Sequence, residues 1–500
     1  MFKEKIICNT VLWTVWLATF ALMWPIGTQA RTLRIVSYNI DCADRGSDGN
    51  ITNSMHSLPT VVQAIGLHHL GTNAQPVDVM SCEELNSGTL SSFVSQLNQL
   101  YGAGTYTYDK TIDPNTGGGP DGIIYRTNSV QVISARALLT GQNVLLQSNG
   151  VYTAAHSPGG GVSGITRAPM VFQLRPLGYG TNNDFYFYVS HARSTSDDTM
   201  GDARYAEAQA VRSDAKYKLP AGAHILYGGD WNLFNGSGEN AYKCLTGQTT
   251  SDGINWSDGS AIWANTNQTQ GYDPMSKMRP PTIVTWGNVA GDDANYLYGD
   301  STASLTSRID MQLPNALMLA AYNSQGGVQL ASDTADPFDT SNFPAAQYPY
   351  AFETFGNNGS TSFNSPSTSA GNHSLDDLTN TTPNASTVYT NLQEAYTSGN
   401  IGNTFVGSDH YPIVGDYNIV VPSPVIMGFN LNASNLIFTV TNCVSGGVFT
   451  VLTSTNLALP LASWAVLAGT NIATGNSLSF TATNAVNPAS AGQFYQLQEK

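Results

Sequence analysis

Alternating and periodic apolar positions at the start of the chain predict a strand–helix repeat. Thr32 to Tyr38 alternate in the manner of a half-buried strand. Apolar residues recur at helical spacing from Leu58 to Leu70 and from Leu90 to Leu100, and Val77 to Cys82 between them has the apolar character of a buried strand. This order of elements is the opening of an α/β domain.

The middle of the chain predicts antiparallel strands and a further helix. GIIYR and VQVIS flank Thr127-Asn128, so we expect them to pair as a hairpin. Met170 to Leu174 and Phe185 to Val189 predict two more strands. Ala203 to Lys216 predict a helix that leads into the next strand.

The stretch ILYGGDWNLF, from Ile225 to Phe234, joins a buried strand to an Asp-x-Asn turn. Gly228 and Gly229 let the backbone leave the sheet tightly, so Asp230 and Asn232 project at the strand's carboxyl end. That end of a strand is where α/β sheets usually place chemistry. Taken alone, the motif is equally consistent with an ordinary strand followed by a turn.

Two long polar segments interrupt the pattern of the core domain. Residues near 235–305 are rich in Gly, Asn, Ser and Trp without a clear period, and we expect a loop over the active face that selects the substrate. Residues near 331–400 form a second insertion dense in Ser, Thr and Asn. Ser307 to Leu313 predict a strand between them, and the closing strand follows Gly407.

The chain's two ends predict separate units. Residues 1–30, with a basic start, the apolar run Ile6 to Trp24 and a small-residue exit, have the form of a secretory signal, so the mature chain would be secreted, extracellular or periplasmic. An uncleaved signal would be a membrane anchor. Residues 31–420 are then the core domain, 421–425 a linker and 426–500 a small β-sandwich of short strands. That tail is either a module that binds a surface or polymer, or a spacer.

Composition excludes several classes of protein. The formal charge of −15 is not the footprint of a basic nucleic-acid binder, and 41% hydrophobic residues argue against disorder. Cys42, Cys82, Cys244 and Cys443 lie far apart without a Cys-x-x-Cys spacing, which indicates neither a zinc site nor a dense disulfide framework and leaves a single bridge open.

Polar side chains with catalytic or ligating capacity follow many of the predicted strands. Each of them alone is more often a cap or a structural group than a functional one. Their repetition at strand ends is what points to a site, and their oxygen ligands suit Mg²⁺, Mn²⁺ or Ca²⁺ rather than structural zinc. The set is Asn39, Asp41, Glu84, His191, Asp230, Asn232, Asp310, Asp409 and His410.

These residues lie in segments that resemble the successive motifs of the endonuclease/exonuclease/phosphatase superfamily, whose members resemble deoxyribonuclease I. The segments, in the family's order, are VSYNID, VDVMSCEEL, DGIIYR, ITRAPMVF, FYVSHARS, LYGGDWN, SRIDMQL and GSDHYPIV. The resemblance covers about Leu33 to Asn418 and implies a four-layer α/β sandwich, two packed mixed sheets flanked by helices, with a metal at the sheet ends.

The resemblance also implies a role for each matching residue. Glu84 would be the principal metal ligand, helped by Asn39, Asp41 and Asp409. Asp230 would orient or deprotonate the attacking water, and Asn232 would hold a phosphate oxygen. His410, paired with Asp310, and His191 would bracket the scissile phosphate. Arg167 matches a phosphate-contacting arginine of the nuclease branch, whereas a surface arginine beside a strand is the plainer interpretation.

Two departures from the family pattern bear on the branch. The nuclease branch gives the histidine at position 191 a glutamate partner before the GIIYR strand, and here only Asp121 is a possible substitute. No Cys-Asp-Arg motif of the inositol-polyphosphate phosphatases is present. The tail, through VFTVLTSTNL, SWAVL and FYQLQ, resembles a small β-sandwich module of exported bacterial proteins.

The sequence leaves three candidate functions for this protein. The first is a secreted, metal-dependent phosphodiesterase, most simply an extracellular nuclease, acting as a monomer without an organic cofactor. The second is a phosphatase or phospholipase-like enzyme of the same fold that acts on a small or lipid phosphate. The third is a binding or adhesion protein without catalysis, which the complete set of expected site residues disfavours.

Overall fold

The chain is described in a computed structural model with several gaps. The described residues are 31–41, 58–67, 69–70, 73–85, 88–109, 120–157, 164–165, 167–177, 179, 181–194, 198–234, 236–263, 268–274, 309–321, 352–355, 408, 410–419, 425–432, 434–441, 443, 448–456, 458–459, 463–473, 477–483 and 494–499. They divide into two compact units. The larger comprises the described residues of 32–175 and 184–419, and the smaller comprises Arg31 and the described residues of 176–183 and 420–500.

Strands and helices alternate in the larger unit much as the apolar periodicity predicts. The first half contains β1 (Arg31–Asn39), α1 (Leu58–Leu67), β2 (His69–Leu70), β3 (Asn73–Ala74), β4 (Val79–Glu83), α2 (Thr89–Tyr101), β5 (Tyr106–Tyr108), β6 (Gly122–Arg126), β7 (Val130–Ala137), β8 (Asn143–Leu146) and β9 (Tyr152–Ala154). The second half contains β10 (Met170–Pro176), β11 (Phe185–His191), α3 (Asp198–Lys218), β12 (His224–Asp230), α4 (Asn240–Leu245), β13 (Asp310–Pro314), α5 (Ala316–Ala321), β14 (Phe352–Thr354) and β15 (Ile413–Ile419).

Two mixed sheets form the centre of this unit. The first has the strand order β14-β15-β1-β4-β6-β5, and the second has the order β13-β12-β11-β10-β7. Strands β1 and β4 run parallel, as do β11 and β12. Strand β6 is antiparallel to β4, and β13 is antiparallel to β12. The carboxyl ends of the two parallel pairs carry most of the candidate site residues.

The two sheets pack face to face, and helices cover their outer faces. On the first sheet, Val62 of α1 and Phe93 of α2 are buried in one apolar cluster with Met80 of β4. On the second, Val211 of α3 is buried with Tyr227 of β12. Between the sheets, the Gln312 amide of β13 donates to the carbonyls of Ile35 and Ile413, at 3.0 and 2.8 Å. The predicted four-layer α/β sandwich is therefore confirmed.

The hairpin predicted for GIIYR and VQVIS is wrong. Strand β6 pairs with β4 and β5 in the first sheet, whereas β7 lies at the edge of the second sheet, next to β10. The turn between them is closed by the Ser129 amide, which donates to the Arg126 carbonyl at 3.0 Å. Arg126 is also ion-paired with the buried Asp78, which holds the end of β6 in the first sheet. A short turn joins the layers here, and local pattern does not distinguish that from a hairpin.

The segment after β12 is more ordered than its composition predicts. Its described part, 236–263 and 268–274, includes α4 and packs against α3 on the outer side of the second sheet. Buried Arg212 of α3 donates to the carbonyls of Cys244 and Trp256 at 2.5 and 3.0 Å. The Trp256 and Trp263 rings stack 4.3 Å apart. The remainder, 275–308, lies outside the described residues, as does most of the second insertion apart from β14.

The smaller unit is an all-β arrangement. Its strands are β16 (Val425–Asn432), β17 (Asn435–Thr441), β18 (Val448–Ser454), β19 (Ala465–Ile472), β20 (Ser477–Ala482) and β21 (Phe494–Glu499). They form two three-stranded sheets, ordered β16-β17-β20 and β19-β18-β21. Phe438 and Val440 of the first sheet share a buried core with Phe449 and Val451 of the second. Strand β16 takes in Val425, which the sequence analysis gave to the linker.

Three cysteines, Cys82, Cys244 and Cys443, are buried as thiols, while Cys42 lies outside the described residues. Among the described helices, none combines the length and apolar character needed to cross a bilayer. The apolar run Ile6 to Trp24 is not part of the described chain.

Candidate active site

Strand register brings distant residues into one row. In the second sheet, His191 of β11 is paired with Asp230 of β12, and Asp230 is paired with Asp310 of β13. In the first sheet, Asn39 of β1 is paired with Glu83 of β4, so Glu84 follows directly beside it. The polar pairs lie at matching ends of the two sheets, where the strands stop.

Two glycines allow the sheets to approach each other beneath this row. A Cβ atom on Gly228 would lie 2.7 Å from Ser37 Oγ and 2.5 Å from the Phe187 ring. Gly229 has a φ of +109°, and a Cβ there would lie 2.2 Å from the Ser190 carbonyl oxygen in its own sheet and 3.0 Å from Glu83 Oε1 of the other sheet. The Gly-Gly pair before Asp230 is therefore needed for close contact as well as for the turn.

Asn39 joins the two sheets at the site. Its Nδ2 lies 3.1 Å from Glu84 Oε1, 3.1 Å from Asp230 Oδ2 and 3.4 Å from His410 Nε2. Its Oδ1 accepts the backbone N–H of Asp41 at 3.0 Å. The amide nitrogen thus faces the carboxylates and the oxygen faces the backbone. In this arrangement Asn39 donates to Glu84, which it was expected to assist as a metal ligand, and to Asp230, which was expected to orient the attacking water.

Three of the candidate residues have a left-handed backbone. Asp41, Glu84 and Asn232 have φ values of 46°, 57° and 49°. Such conformations cost roughly 1–3 kcal/mol for a residue with a side chain, and they persist where surrounding contacts impose them. For Asn232 the contact is its own N–H, which donates to Asp230 Oδ1 at 2.9 Å. The strained positions coincide with the strand ends that aim side chains into the site.

His410 is held by a carboxylate on one ring nitrogen and faces the cluster with the other. Its Nδ1 lies 2.7 Å from Asp310 Oδ2, and its Nε2 lies 3.8 Å from Asp230 Oδ2. Its backbone N–H donates to Ser408 Oγ at 3.0 Å, and Ser408 Oγ in turn donates to the Asn39 carbonyl. Ser408 therefore ties the His410 segment to the end of β1, a role that the sequence analysis missed.

His191 lies on the opposite side of Asp230. Its Nε2 is 3.4 Å from Glu84 Oε1 and 3.7 Å from Asp230 Oδ2. The two imidazoles therefore flank one carboxylate, Asp230, and both are almost fully buried. Of the predicted site residues, Asp409 lies outside the described part of the chain, and Asp41 is buried close enough for its charge to act on Glu84.

The site carboxyls hold their protons more tightly than usual. Burial, followed by the charge of Asp41, raises the pKa of Glu84 to about 8. Burial, followed by the charge of Asp310, raises the pKa of Asp230 to about 7, against the attraction of His410. Clustering several carboxyls in a poorly solvated space therefore disfavours their ionisation. A cation bound among them would remove that penalty.

The donor set fits a divalent cation. Ligand atoms of Glu84, His191 and Asp230 all lie within 4.8 Å of one another, and those of Asp230, Asp310 and His410 do so as well. The two groups share Asp230. Carboxylate oxygens of this kind are the ligands of hard cations such as Mg²⁺, Mn²⁺ and Ca²⁺. Glu84 and Asp230 are thus placed to hold the ion, with Asp41 beside them.

Arg167 and Asn232 both contact the backbone just after His191. Asn232 Nδ2 and Arg167 Nη1 each donate to the Ala192 carbonyl at 2.9 Å. Arg167 is only 8% exposed. In this structure the nitrogens expected to contact phosphate are thus engaged within the protein.

Three buried acids lie near the site. The sequence analysis gave no role to Glu83 or Glu207 and named Asp121 only as a possible partner of His191. Glu83 is fully buried, and burial followed by the charge of Asp121 raises its pKa well above its usual range. Asp121, the possible partner of His191, is 1% exposed. Burial also raises the pKa of Glu207 on α3, against the attraction of Arg167. The sequence signal for Glu83 was its place inside an apolar strand, where an acid is unusual.

The chain is similar to proteins of the endonuclease/exonuclease/phosphatase superfamily. A superfamily member from Beutenbergia cavernae is 10% identical, with 94% of this chain and 100% of that chain covered, at a TM-score of 0.38. A mannosyl-6-phosphatase from Bacteroides thetaiotaomicron is 15% identical, with 57% and 85% covered, at 0.33. TDP2 from D. rerio, complexed with single-strand DNA product, is 14% identical, with 77% and 99% covered, at 0.34.

No protein-family model matches the chain, and no curated protein sequence matches it. At identities and TM-scores this low, the likeness does not decide the chemistry. The role of each residue must therefore come from the geometry of the site.

Proposed function

We propose that this protein is a metal-dependent phosphoesterase that hydrolyses phosphodiester bonds. The observation that carries the proposal is the convergence of Glu84, Asp230, Asp310 and two histidines, from five separate strand ends, into two overlapping ligand groups. A pocket so rich in carboxyls repels a phosphate unless a cation neutralises it. A divalent ion bound there would supply that neutralisation and would polarise a phosphoryl oxygen.

The chain's own groups account for the remaining requirements. Asp230 is positioned by donors on both oxygens, Asn39 Nδ2 and the Asn232 N–H. A carboxylate held on both oxygens in this way is suited to orient a water molecule and accept its proton. Asp230 can therefore serve as the general base in addition to its place in the two ligand groups.

The histidines fit the other side of the reaction. Asp310 accepts from His410 Nδ1, which leaves Nε2 directed at the cluster, where the protonated imidazole can donate to a phosphate oxygen or the leaving group. His191 presents its Nε2 from the opposite side. Two imidazoles on either side of one base suit in-line displacement at phosphorus, in which charge grows on the equatorial and leaving oxygens.

The finer proposal is an extracellular nuclease, exported by the N-terminal signal. Its support is the order of motifs from VSYNID to GSDHYPIV together with the secretory form of residues 1–30. A phosphatase or phospholipase-like activity on a small or lipid phosphate is the second candidate. One observation favours it: Arg126, Arg167 and Arg204 are all engaged, with Asp78, the Ala192 carbonyl and Glu239.

A substrate panel separates these candidates. The purified protein with Mg²⁺ or Mn²⁺ is assayed on plasmid DNA, RNA, bis-p-nitrophenyl phosphate, a phospholipid and phosphomonoesters. A nuclease should cleave DNA or RNA with a shallow salt dependence, equivalent to about 2 to 4 neutralised phosphates, because the chain is acidic. Faster hydrolysis of a monoester or phospholipid than of any nucleic acid would assign the second candidate. Hydrolysis of none of them would reject the proposal.

A further inference from the structure

The peptide that follows His191 is held from three directions. The Ala192 N–H donates to the Asp230 carbonyl at 2.7 Å. The Ala192 carbonyl accepts from Asn232 Nδ2 and from Arg167 Nη1, both at 2.9 Å. Arg167 Nη1 also lies 3.5 Å from the His191 carbonyl oxygen. The backbone on the carboxyl side of the His191 Cα is therefore held by groups outside its own strand.

The next carbonyl is held in the same way. Arg204 Nη1 of α3 donates to the Arg193 carbonyl at 3.1 Å, while its Nε and Nη2 form a two-point ion pair with Glu239 at 2.8 and 2.9 Å. Consecutive carbonyls at 191, 192 and 193 thus face guanidinium groups. A strand end that carries only a structural histidine has no need of two buried arginines.

The charge of Arg167 is directed inward. Its guanidinium stabilises the buried carboxylate of Glu207 on α3, and burial nonetheless keeps the pKa of Glu207 raised. Arg167 is 8% exposed and Glu207 is 1% exposed. A cation that approaches a substrate phosphate needs a face open to it, whereas this one contacts a backbone carbonyl and lies near an internal acid.

We infer that Arg167 is a positioning residue that fixes the orientation of the His191 imidazole by binding the carbonyls of His191 and Ala192, and is not a contact of the substrate phosphate. Its effect on rate rests on the phosphoesterase function proposed above. Misplacement of a catalytic group by about 1 Å can lower a rate by ~10²-fold. Removal of Arg167 should accordingly lower kcat and leave KM nearly unchanged.

A double-mutant cycle with His191 tests this directly. Arg167→Ala should lower kcat by ~10- to 10²-fold with KM within about threefold, and His191→Ala should lower it further. If Arg167 acts through His191, the double variant should be no slower than His191→Ala alone, because there is no imidazole left to misplace. Losses that multiply, or a KM rise that carries the loss in Arg167→Ala, would overturn the inference.

The matched control is Arg175→Ala in both backgrounds. Arg175 of β10 is ion-paired with Asp184. Asp184 also accepts a hydrogen bond from Gln173 Nε2 at 2.7 Å, so it still has a partner when Arg175 is removed. We expect wild-type kcat in the single variant and the His191→Ala rate in the double one. Equal loss of kcat in Arg175→Ala and Arg167→Ala would show a general effect of removing a cation, which overturns the specific role.

Two further variants keep the test valid if Arg167→Ala does not fold. Arg167→Gln with Glu207→Gln removes the acid together with its cation and should show the same kcat loss. Arg167→Lys keeps a point charge but loses the planar fork that reaches two carbonyls, so we expect only partial recovery of kcat. Full recovery in Arg167→Lys would instead indicate a charge that acts on the substrate.

A readout without substrate separates this inference from the function itself. With ¹⁵N-labelled histidine in the metal-free protein, Arg167→Lys should shift the ring signals of His191 and leave those of His224, which contacts the Asp184 carbonyl elsewhere, in place. Unchanged His191 signals would overturn the positioning role even if the enzyme is active. Shifted signals in a protein without phosphoesterase activity would support the positioning role and reject only the proposed function.

Discussion

His410 Nδ1 lies 2.7 Å from Asp310 Oδ2, although the two residues are 100 positions apart in the chain. Asp310 is fully buried at the start of β13, and His410 lies just before β15. A carboxylate on Nδ1 fixes the tautomer of a histidine and stabilises its protonated form. The pair therefore sets the state in which His410 Nε2 faces Asp230.

Asp310→Asn should lower kcat strongly without unfolding the protein. An amide in this place favours the wrong tautomer of His410 and does not stabilise the imidazolium; the same substitution in a serine-protease triad costs about 10⁴-fold. We expect a loss of ~10²-fold or more, measured as initial rates on a chromogenic phosphodiester. Asp202→Asn, which lies outside the site on α3, should keep the wild-type rate. A wild-type rate in Asp310→Asn would show that the pairing of His410 with Asp310 does not contribute to catalysis.

Stability of the metal-free protein should fall as pH rises from about 5 to about 8. Glu84 and Asp230 have raised pKa values of about 8 and about 7 in the folded chain, against ordinary values near 4 when unfolded. Between these values the folded state binds more protons than the unfolded state, so a rise in pH favours unfolding. Thermal melts in EDTA measure this slope, and Asp230→Asn should make it shallower. A melting temperature that rises with pH over this range in the wild type, and rises less in Asp230→Asn, would contradict the predicted direction.

Divalent metal should reverse that slope. Binding requires deprotonated carboxyls, so the melting shift produced by Mn²⁺ should be larger at pH 8 than at pH 6. Glu84→Gln should weaken Mn²⁺ binding by ~10-fold or more, measured by calorimetry. The control is the neighbouring substitution Glu83→Gln, because Glu83 is fully buried beside Gly229 and outside the two ligand groups. Equal weakening in both variants would contradict the assignment of Glu84 as the ligand.

Removal of the C-terminal unit should leave hydrolysis of soluble substrates intact. The strands from β16 onward enclose their own apolar core, and all described candidate site residues precede 420. A chain that ends at Pro422 should therefore fold, with an unchanged kcat on a small phosphodiester. Retention on cells or insoluble polymers should be lost if the tail is a binding module, and kept if it is a spacer. Loss of kcat would show that the tail supports the site.

Much of this site can be predicted from the sequence because its catalytic and ligating residues lie at the ends of strands. The alternation around Asn39 and the Gly-Gly-Asp-x-Asn stretch predict the strand, the turn and the projecting side chains. The register that pairs His191 with Asp230 and Asp230 with Asp310 is a property of three strands distant in sequence. Local periodicity carries no information about such pairings, which depend on how whole layers pack.

The failures have the same origin. The turn after Arg126 joins two layers, and a hairpin would show the same local pattern. The described residues of 236–263 and 268–274 are held by contacts such as those of Arg212 and of two stacked tryptophans, which composition alone does not predict. The contact of Arg167 with phosphate stays a prediction, and its burial and its carbonyl partner are likewise seen only in three dimensions.

The central claim is metal-dependent hydrolysis by the cluster around Asp230. The most direct measurement is turnover of bis-p-nitrophenyl phosphate by the wild type, Asp230→Asn and His410→Ala, first in EDTA and then across a Mn²⁺ or Mg²⁺ titration, with folding confirmed by circular dichroism. We predict no turnover in EDTA, recovery with metal in the wild type, and at least ~10²-fold lower turnover in both variants at saturating metal. Turnover that persists in EDTA, or folded variants as fast as the wild type, would contradict the claim.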